Sequence, residues 1–210
     1  MTFDLRTAIR GLAAAGIVGL GLAGPALAQD VNPLLLAVES PLGDVVLGSA
    51  KAPVTIIEYA SMTCPHCATF HNDVFGQLQA AYIDTGKVRF IIREFPLDPW
   101  AAAAFSLARC AEATTPGAYY TLTSAFFENQ PVWTASVDAF IAFVQPYGFT
   151  PASFDACIED ETILAGIEWS YDRGVELGVN ATPTFFINGQ RQIGGISFED
   201  FSRLIDGLIP

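Results

Sequence analysis

The feature of this sequence that most constrains its fold is an apolar, β-branched run that leads directly into a helical pattern. Residues 52–60, "APVTIIEYA", are typical of a buried strand. The segment after it has apolar residues at intervals of four, namely Phe70, Val74, Leu78 and Tyr82. A second apolar run predicts another strand over residues 87–95. Strand, helix and strand of these lengths predict a βαβ unit with parallel strands.

A pair of cysteines lies where the first strand meets the helix. Cys64 and Cys67 flank Pro65 and His66 in the stretch "SMTCPHCATFH". The N-terminus of a helix presents unpaired N–H groups and a partial positive charge, which favour a thiolate over a thiol. Pro65 suits the first helical turn, and His66 can add a positive or hydrogen-bonding group beside the sulfur of Cys64. This arrangement predicts thiol–disulfide exchange, with Cys64 as the outer nucleophile and Cys67 as the shielded, resolving thiol.

Two other uses of such a pair are disfavoured by the sequence. A zinc clip needs two further ligands, which usually come as a second closely spaced Cys or His pair, and the only other histidine is His71. A purely structural bridge across three residues would constrain the unfolded chain very little. We therefore expect a redox-active cysteine pair, with no metal and no other cofactor.

The first 28 residues predict export. Two arginines precede an uncharged stretch of eighteen residues, which closes with Ala26-Leu27-Ala28. This pattern is typical of a secretory signal peptide that is cut after Ala28, and an uncleaved membrane anchor is the alternative. Cleavage would leave a mature protein outside the cytoplasm, in an oxidising compartment where disulfides persist.

The charge of the chain argues against nucleic acid as a partner. The formal net charge is −12, and it becomes −13 once Asp4 and two arginines are removed with residues 1–28. A surface that binds phosphates has to be basic. An acidic surface repels anionic lipids for the same reason.

The rest of the chain predicts a block of helices and then a return to mixed structure. Residues 98–162 have helical patterns separated by Pro and Gly, without a convincing strand. A longer helix ending at Gly178 follows, and then a hairpin that turns at Asn188-Gly189. A last amphipathic helix begins with Ser197 as its N-cap. The fold class is therefore α/β, with the helical block inserted into a single sheet domain.

Over almost all of its mature length the sequence resembles the thioredoxin superfamily, and within it the DsbA family of periplasmic thiol:disulfide oxidoreductases. The resemblance rests on "APVTIIEYASMTCPHC", on the helical insertion and on "NATPTFFINGQ". It implies a thioredoxin-like fold with an inserted all-helical domain. The domain boundaries would then be 1–28 for the signal peptide, 29–97 with 163–210 for the thioredoxin-like domain, and 98–162 for the insertion.

The resemblance also implies roles for residues outside the cysteine motif. Thr182-Pro183 should be a cis peptide beside the cysteine pair, and the exposed backbone of Thr182 can pair with an extended substrate peptide. Glu58 matches an acidic residue that lies beneath the inner cysteine of the family and helps to move its proton. The alternative for Glu58 is a side chain that faces solvent. His71 follows Cys67 by four residues and could face the same side, but we expect a partly exposed helix residue.

Cys110 and Cys157 lie in two different predicted helices of the insertion. We expect a structural disulfide between them, and a second redox pair that tunes Cys64–Cys67 is the alternative.

Together these features predict a monomeric, exported oxidase that introduces disulfides into folding secreted proteins with free thiols. Family resemblance implies that a membrane quinone-linked partner reoxidises it. A disulfide isomerase or reductase of the same fold is the nearest alternative, and a Cys/His metal-binding module and a substrate-binding chaperone are alternatives from other classes.

Overall fold

The structure is a computed structural model that describes residues 33–209. The predicted signal peptide, residues 1–28, lies outside the described residues. Five strands form one mixed sheet: β1 Val46–Gly48, β2 Val54–Ala60, β3 Val88–Glu94, β4 Thr184–Ile187 and β5 Gln190–Ile193. Their order across the sheet is β1-β3-β2-β4-β5.

The central strands of the sheet are those that the sequence predicts. β2 and β3 pair in parallel over their full length, from Val54 opposite Val88 to Ala60 opposite Glu94. β4 pairs with the other edge of β2 in the antiparallel sense and forms a hairpin with β5. Asn188 and Gly189 make the hairpin turn, both with positive φ (46° and 93°), as an Asn-Gly turn of this type requires. The predicted βαβ unit and hairpin are confirmed.

The helix that follows the cysteine motif is continuous but irregular. It begins as α2 Pro65–Phe70, and α3 Gly76–Leu78 lies between two π-helical turns, His71–Phe75 and Gln79–Ile83. The periodicity of four in the sequence predicts the helix but not these wider turns. The buried side chains of this helix pack on one face of the sheet.

Six helices connect β3 to β4: α4 Pro99–Thr114, α5 Ala118–Glu128, α6 Gln130–Trp133, α7 Val137–Val144, α8 Pro151–Ile158 and α9 Glu161–Glu176. Asp98 caps α4 by accepting the backbone N–H of Ala101 (2.8 Å). The helical block has an aromatic core in which Trp133 and Phe126 both pack against Phe140. α4 to α8 fall within residues 98–162, where the sequence predicts a helical insertion, and the domain boundaries themselves stay a prediction.

A buried polar cluster joins this helical block to the sheet. Glu94, at the end of β3, accepts hydrogen bonds from the guanidinium of Arg109 in α4 (2.7 Å) and the hydroxyl of Tyr119 in α5 (3.1 Å). Its carboxylate is 0% exposed, so the buried charge needs the guanidinium as its counter-ion.

The opposite face of the sheet is covered by α9. Gly174 lies so close to the sheet that a Cβ there would stand 2.8 Å from Phe95 Cδ2 and 2.9 Å from Tyr59 Cδ1. A smaller apolar cluster fills this face, and α10 Phe198–Asp206 packs on the first face through Phe201, whose ring contacts those of Phe70 and Phe185. Ser197 is the N-cap of α10, as predicted.

The sequence misses two elements near the start of the described chain. α1 Pro33–Leu36 and β1 both lie before residue 52, in a segment where the sequence patterns predict neither a helix nor a strand. β1 has only three residues and pairs antiparallel with β3. A strand this short gives too few positions for an alternation to be recognised.

From residue 33 to residue 209, none of the helices has the length and hydropathy needed to cross a bilayer.

A disulfide joins Cys110 of α4 to Cys157 of α8, over a sequence separation of 47 residues. It connects two helices of the insertion and does not involve the cysteine pair at the end of β2.

Replacing both cysteines of this bridge with alanine should lower the free energy of unfolding by about 2–4 kcal/mol, because a loop of this length loses conformational entropy in the unfolded chain when it is closed. Urea unfolding of the double variant and of the parent protein measures the difference. Unchanged stability together with altered exchange at Cys64 would contradict a structural role and favour a second redox pair.

Candidate active site

The cysteine motif lies at the point where β2 ends and α2 begins. Cys64 is the N-cap residue of α2, with extended backbone (φ −75°, ψ 120°), and Pro65 occupies the first helical turn. Pro65 and His66 are exposed, whereas Cys64 is 5% and Cys67 0% exposed. Both cysteines are free thiols in this structure. Cys64 is thus the more accessible of two adjacent sulfurs at a helix N-terminus.

The surroundings of Cys64 stabilise its thiolate. A hydrogen bond from the Cys67 thiol is the largest contribution, and the side chain of Thr182 and the backbone N–H groups of Cys67 and His66 add to it. Together they outweigh the cost of burial and lower the pKa of Cys64 from 9.0 to about 5. His66 lowers the pKa of Cys64 through its backbone N–H. Stabilisation of the thiolate by the imidazole of His66 stays a prediction.

The inner thiol has the opposite behaviour. Complete burial raises the pKa of Cys67 far above its usual range, and the hydrogen bond to Cys64 and the negative charge of Glu58 raise it further. Cys67 therefore remains protonated beside an ionised Cys64 at neutral pH.

Thr182 and Pro183 lie beside the outer sulfur. The peptide bond between them is cis. Cys64 Sγ lies 3.3 Å from the backbone carbonyl oxygen of Thr182, across 118 residues of sequence, and donates to it when the thiol is protonated. Thr182 and Pro183, just before β4, therefore lie next to the cysteine motif at the N-terminus of α2, as the family resemblance predicts.

Glu58 lies inside the protein on β2, with 0% exposure, so its side chain does not face solvent. His71 Nε2 is 2.8 Å from Glu58 Oε2. His71 as a whole residue is partly exposed, as expected, but its imidazole is only 3% exposed and makes this contact, which the sequence does not predict. The Glu58–His71 pair belongs to the site, and neither the strand pattern nor the helix pattern indicates that these two side chains meet.

Two further polar residues hold the loop before Cys64. Gln130 Nε2 donates to the carbonyl oxygens of Met62 (2.8 Å) and Cys64 (3.0 Å). The hydroxyl of Thr63 donates to Asp98 Oδ2 (2.5 Å), the same carboxylate that caps α4. These contacts span 35 to 68 residues of sequence, and no local pattern in the sequence signals them.

The described part of the chain, residues 33–209, contains no group of three or more His, Cys, Asp and Glu side chains arranged to hold a metal ion. A thioredoxin-like sheet with one stabilised thiolate, one protonated thiol and a neighbouring cis-proline defines the class of thiol:disulfide oxidoreductases.

Comparisons with known proteins agree with that class. A family model described as Thioredoxin matches residues 40–207. The crystal structure of alpha-DsbA1 from Wolbachia pipientis is similar with a TM-score of 0.76 and 32% identity, covering 84% of this chain and 96% of that one. The crystal structure of oxidised BdbD from Bacillus subtilis is similar in fold, with a TM-score of 0.69 and 20% identity over 87% of this chain and 97% of that one.

A Rickettsia conorii protein with the provisional name of protein-disulfide oxidoreductase is 31% identical over 193 residues, which are 87% of this chain and 68% of the relative. Related proteins from four other Rickettsia species are matched over 61–65% of their lengths, so this chain spans about two thirds of these curated relatives. The chain belongs to the DsbA family of the thioredoxin superfamily.

The pKa of Cys64 can be measured through the absorbance of its thiolate at 240 nm. We expect a transition near pH 5 in the reduced protein that disappears in Cys64→Ala. In Cys67→Ala the pKa should rise towards 9.0, because the largest stabilising hydrogen bond is lost. Since the pKa is lowered in the folded state, the stability that the thiolate provides is fully present above pH 9 and is lost as the pH falls through about 5.

A Cys64 transition near pH 9 in the parent protein would contradict this electrostatic assignment.

Gln130→Leu should lower the free energy of unfolding by about 1–3 kcal/mol, because the carbonyl of Met62 loses its side-chain donor and that of Cys64 keeps only the N–H of Ala68. It should also slow exchange at Cys64, whose backbone position the amide fixes. Gln145→Leu, at an exposed position of the same helical block, is the matched control. Equal effects of the two substitutions in urea unfolding and in exchange assays would show that Gln130 has no special part.

Proposed function

We propose that this protein is an exported dithiol–disulfide oxidase that introduces disulfide bonds into folding secreted proteins. The observation that carries the proposal is the unequal acidity of its two thiols, with the pKa of Cys64 lowered to about 5 and that of Cys67 raised. A stabilised Cys64 thiolate favours the reduced protein over the disulfide form. The disulfide is therefore readily transferred to a substrate.

In the proposed reaction, a substrate thiolate attacks Cys64 Sγ of the oxidised protein. A substrate–Cys64 disulfide forms, the Cys64–Cys67 bond breaks, and Cys67 leaves with the electron pair and takes up a proton. A second substrate thiolate then attacks the substrate sulfur of the mixed disulfide and releases Cys64 as its stable thiolate. The substrate loses two electrons and gains a disulfide, and the cysteine pair gains the two electrons.

The carbonyl of Thr182 beside Cys64 supports a place for the substrate chain. Thr182 itself is only 7% exposed, but Ala181 before it is exposed, so an extended peptide can add beside Pro183 through main-chain hydrogen bonds, which depend little on sequence. Such binding suits an enzyme that acts on many unfolded proteins.

Location and partners are further parts of the proposal. The apolar segment before Gln29 supports export by a cleavable signal peptide to the periplasm, where substrates with free thiols are present. Reoxidation of Cys64–Cys67 by a membrane quinone-linked protein, and action as a monomer, are proposed by resemblance to the family.

A redox titration against glutathione distinguishes an oxidase from a reductase. We expect the equilibrium between dithiol and disulfide to lie far more towards the dithiol than in thioredoxin, whose potential is about −270 mV. Peptide oxidation should be fast and insulin reduction slow, and Cys64→Ser should abolish both.

A potential close to that of thioredoxin would overturn the oxidase assignment in favour of a reductase. Full function of Cys64→Ser would instead support a chaperone. Stoichiometric zinc binding by the reduced protein without exchange activity would support a metal-binding module.

A further inference from the structure

The pair formed by Glu58 and His71 is not explained by the reaction at the sulfurs alone. Glu58 Oε2 and His71 Nε2 are 2.8 Å apart, and both side chains are almost completely buried, at 0% and 3% exposure. A buried carboxyl group without a partner is costly, and a charge-assisted hydrogen bond reduces that cost. The position of His71 therefore has to be set accurately enough to meet one oxygen of this carboxyl group.

Aromatic side chains hold the imidazole of His71 in place. Its ring stacks on Phe127 of α5 with a centroid distance of 4.1 Å and an interplanar angle of 9°. The rings of Phe70 and Phe75, with centroids 5.1 and 4.9 Å away, pack against it from its own helix. Because the ring plane is fixed on these sides, Nε2 has one direction in which to donate, and that direction is Glu58 Oε2.

The two oxygens of Glu58 differ as a result. Oε2 is engaged by His71, whereas Oε1 is buried without a hydrogen-bond partner anywhere in residues 33–209. Cys67 lies close enough to Glu58 for the carboxylate to act on its titration. The oxygen that is left without a partner is thus on the carboxyl group next to the thiol that must gain and lose a proton.

We propose that His71 is a positioning residue: by donating Nε2–H to Oε2, it keeps Oε1 of Glu58 as the atom that exchanges a proton with Cys67. The inference rests on thiol–disulfide exchange at Cys64–Cys67, and it applies whether the protein acts as an oxidase or a reductase. Oε2 can accept from His71 both when Glu58 is a carboxylate and when Oε1 carries a proton. The imidazole therefore holds the group through both halves of the cycle.

In each half of the cycle one proton moves between Cys67 and Oε1 of Glu58. When the Cys64–Cys67 bond is broken, Cys67 Sγ receives the electron pair and takes the proton from Oε1. When the bond is formed again, Cys67 gives a proton to Oε1, and its thiolate attacks the sulfur of Cys64 in the mixed disulfide. The electron pair of that disulfide leaves with the sulfur of the other molecule. Only the steps in which Cys67 reacts depend on Glu58 and therefore on His71.

The titratable groups that face this pair are few among the described residues. Cys67 approaches from α2, and the charge of Glu58 acts on Tyr120 of α5, whose hydroxyl donates to the carbonyl oxygens of Val45 (2.9 Å) and Phe90 (3.0 Å). Burial raises the pKa of Tyr120 above its ordinary value of 10.0, so it remains neutral when the cysteines react. A pH profile of the Cys67 step therefore reports on Cys67, Glu58 and His71.

The test uses two variants that both remove the imidazole ring and differ in one donor. His71→Gln places an amide N–H near the position of Nε2, and His71→Leu has no donor and a similar size. Each reduced protein is mixed with oxidised glutathione, quenched with acid and alkylated, so that mass spectrometry separates the attack by Cys64 from the later resolution by Cys67. The rates are measured from pH 5 to pH 9.

We expect His71→Leu to slow the resolution step about tenfold or more, which is part of what a positioned acid–base group contributes. His71→Gln should stay within about threefold of the parent protein, and the first attack by Cys64 should be the same in all three. In a Glu58→Gln background, the difference between the leucine and glutamine substitutions should fall below about twofold, because His71 acts through Glu58.

Equal resolution rates for the two substitutions would overturn the proposal, and so would an equal slowing of both steps or a difference that persists in the Glu58→Gln background. If His71→Leu does not fold, His71→Asn takes its place, since its amide is too short to reach Oε2. Failure of the oxidase assignment would leave these results unaffected, because glutathione exchange does not depend on it.

Discussion

The function of this fold depends on how firmly the four residues from Ser61 to Cys64 are held as the chain leaves β2. Their backbone and side chains are bound from two directions, by Asp98 at the start of α4 and by Gln130 in α6. Because both partners belong to the helical insertion, that block does more than cover the sheet. It fixes the backbone that turns Cys64 towards Thr182 and directs the N–H groups of the first turn of α2 at its sulfur.

The helix that carries the cysteines and the sheet beneath it supply different parts of the chemistry. The helix N-terminus and the adjacent thiol stabilise the outer thiolate, and the interior of the sheet provides the carboxyl group nearest the inner thiol. His71 connects these parts, since it lies on the helix of the cysteines, shares a hydrogen bond with Glu58 of β2 and stacks on Phe127 of the insertion. The imidazole of His71 is tolerated in this apolar core because its Nε2 has a hydrogen-bond partner in Glu58 and its ring stacks on Phe127.

Much of this site follows from local sequence. The strand, the Cys-Pro-His-Cys motif and the helix lie within about thirty residues, so their periodicities give the βαβ unit and the polarity of the cysteine pair. Thr182-Pro183 is recognised only by resemblance. Gln130, Asp98 and the Glu58–His71 pair depend on how distant segments pack, and a single sequence has no periodic signal for such contacts. The short β1 and the π-helical turns at His71 and Gln79 are missed because both are small departures from regular patterns.

The unequal thiols also determine how many protons accompany the electrons. Between about pH 5 and the much higher pKa of Cys67, reduction of the disulfide takes up two electrons and at most one proton from the solvent, because Cys64 stays ionised. For a two-electron couple, one proton corresponds to about 30 mV for each pH unit, half of what two protons would give. The oxidising strength of the pair therefore changes only gently when the surroundings become more acidic or more alkaline.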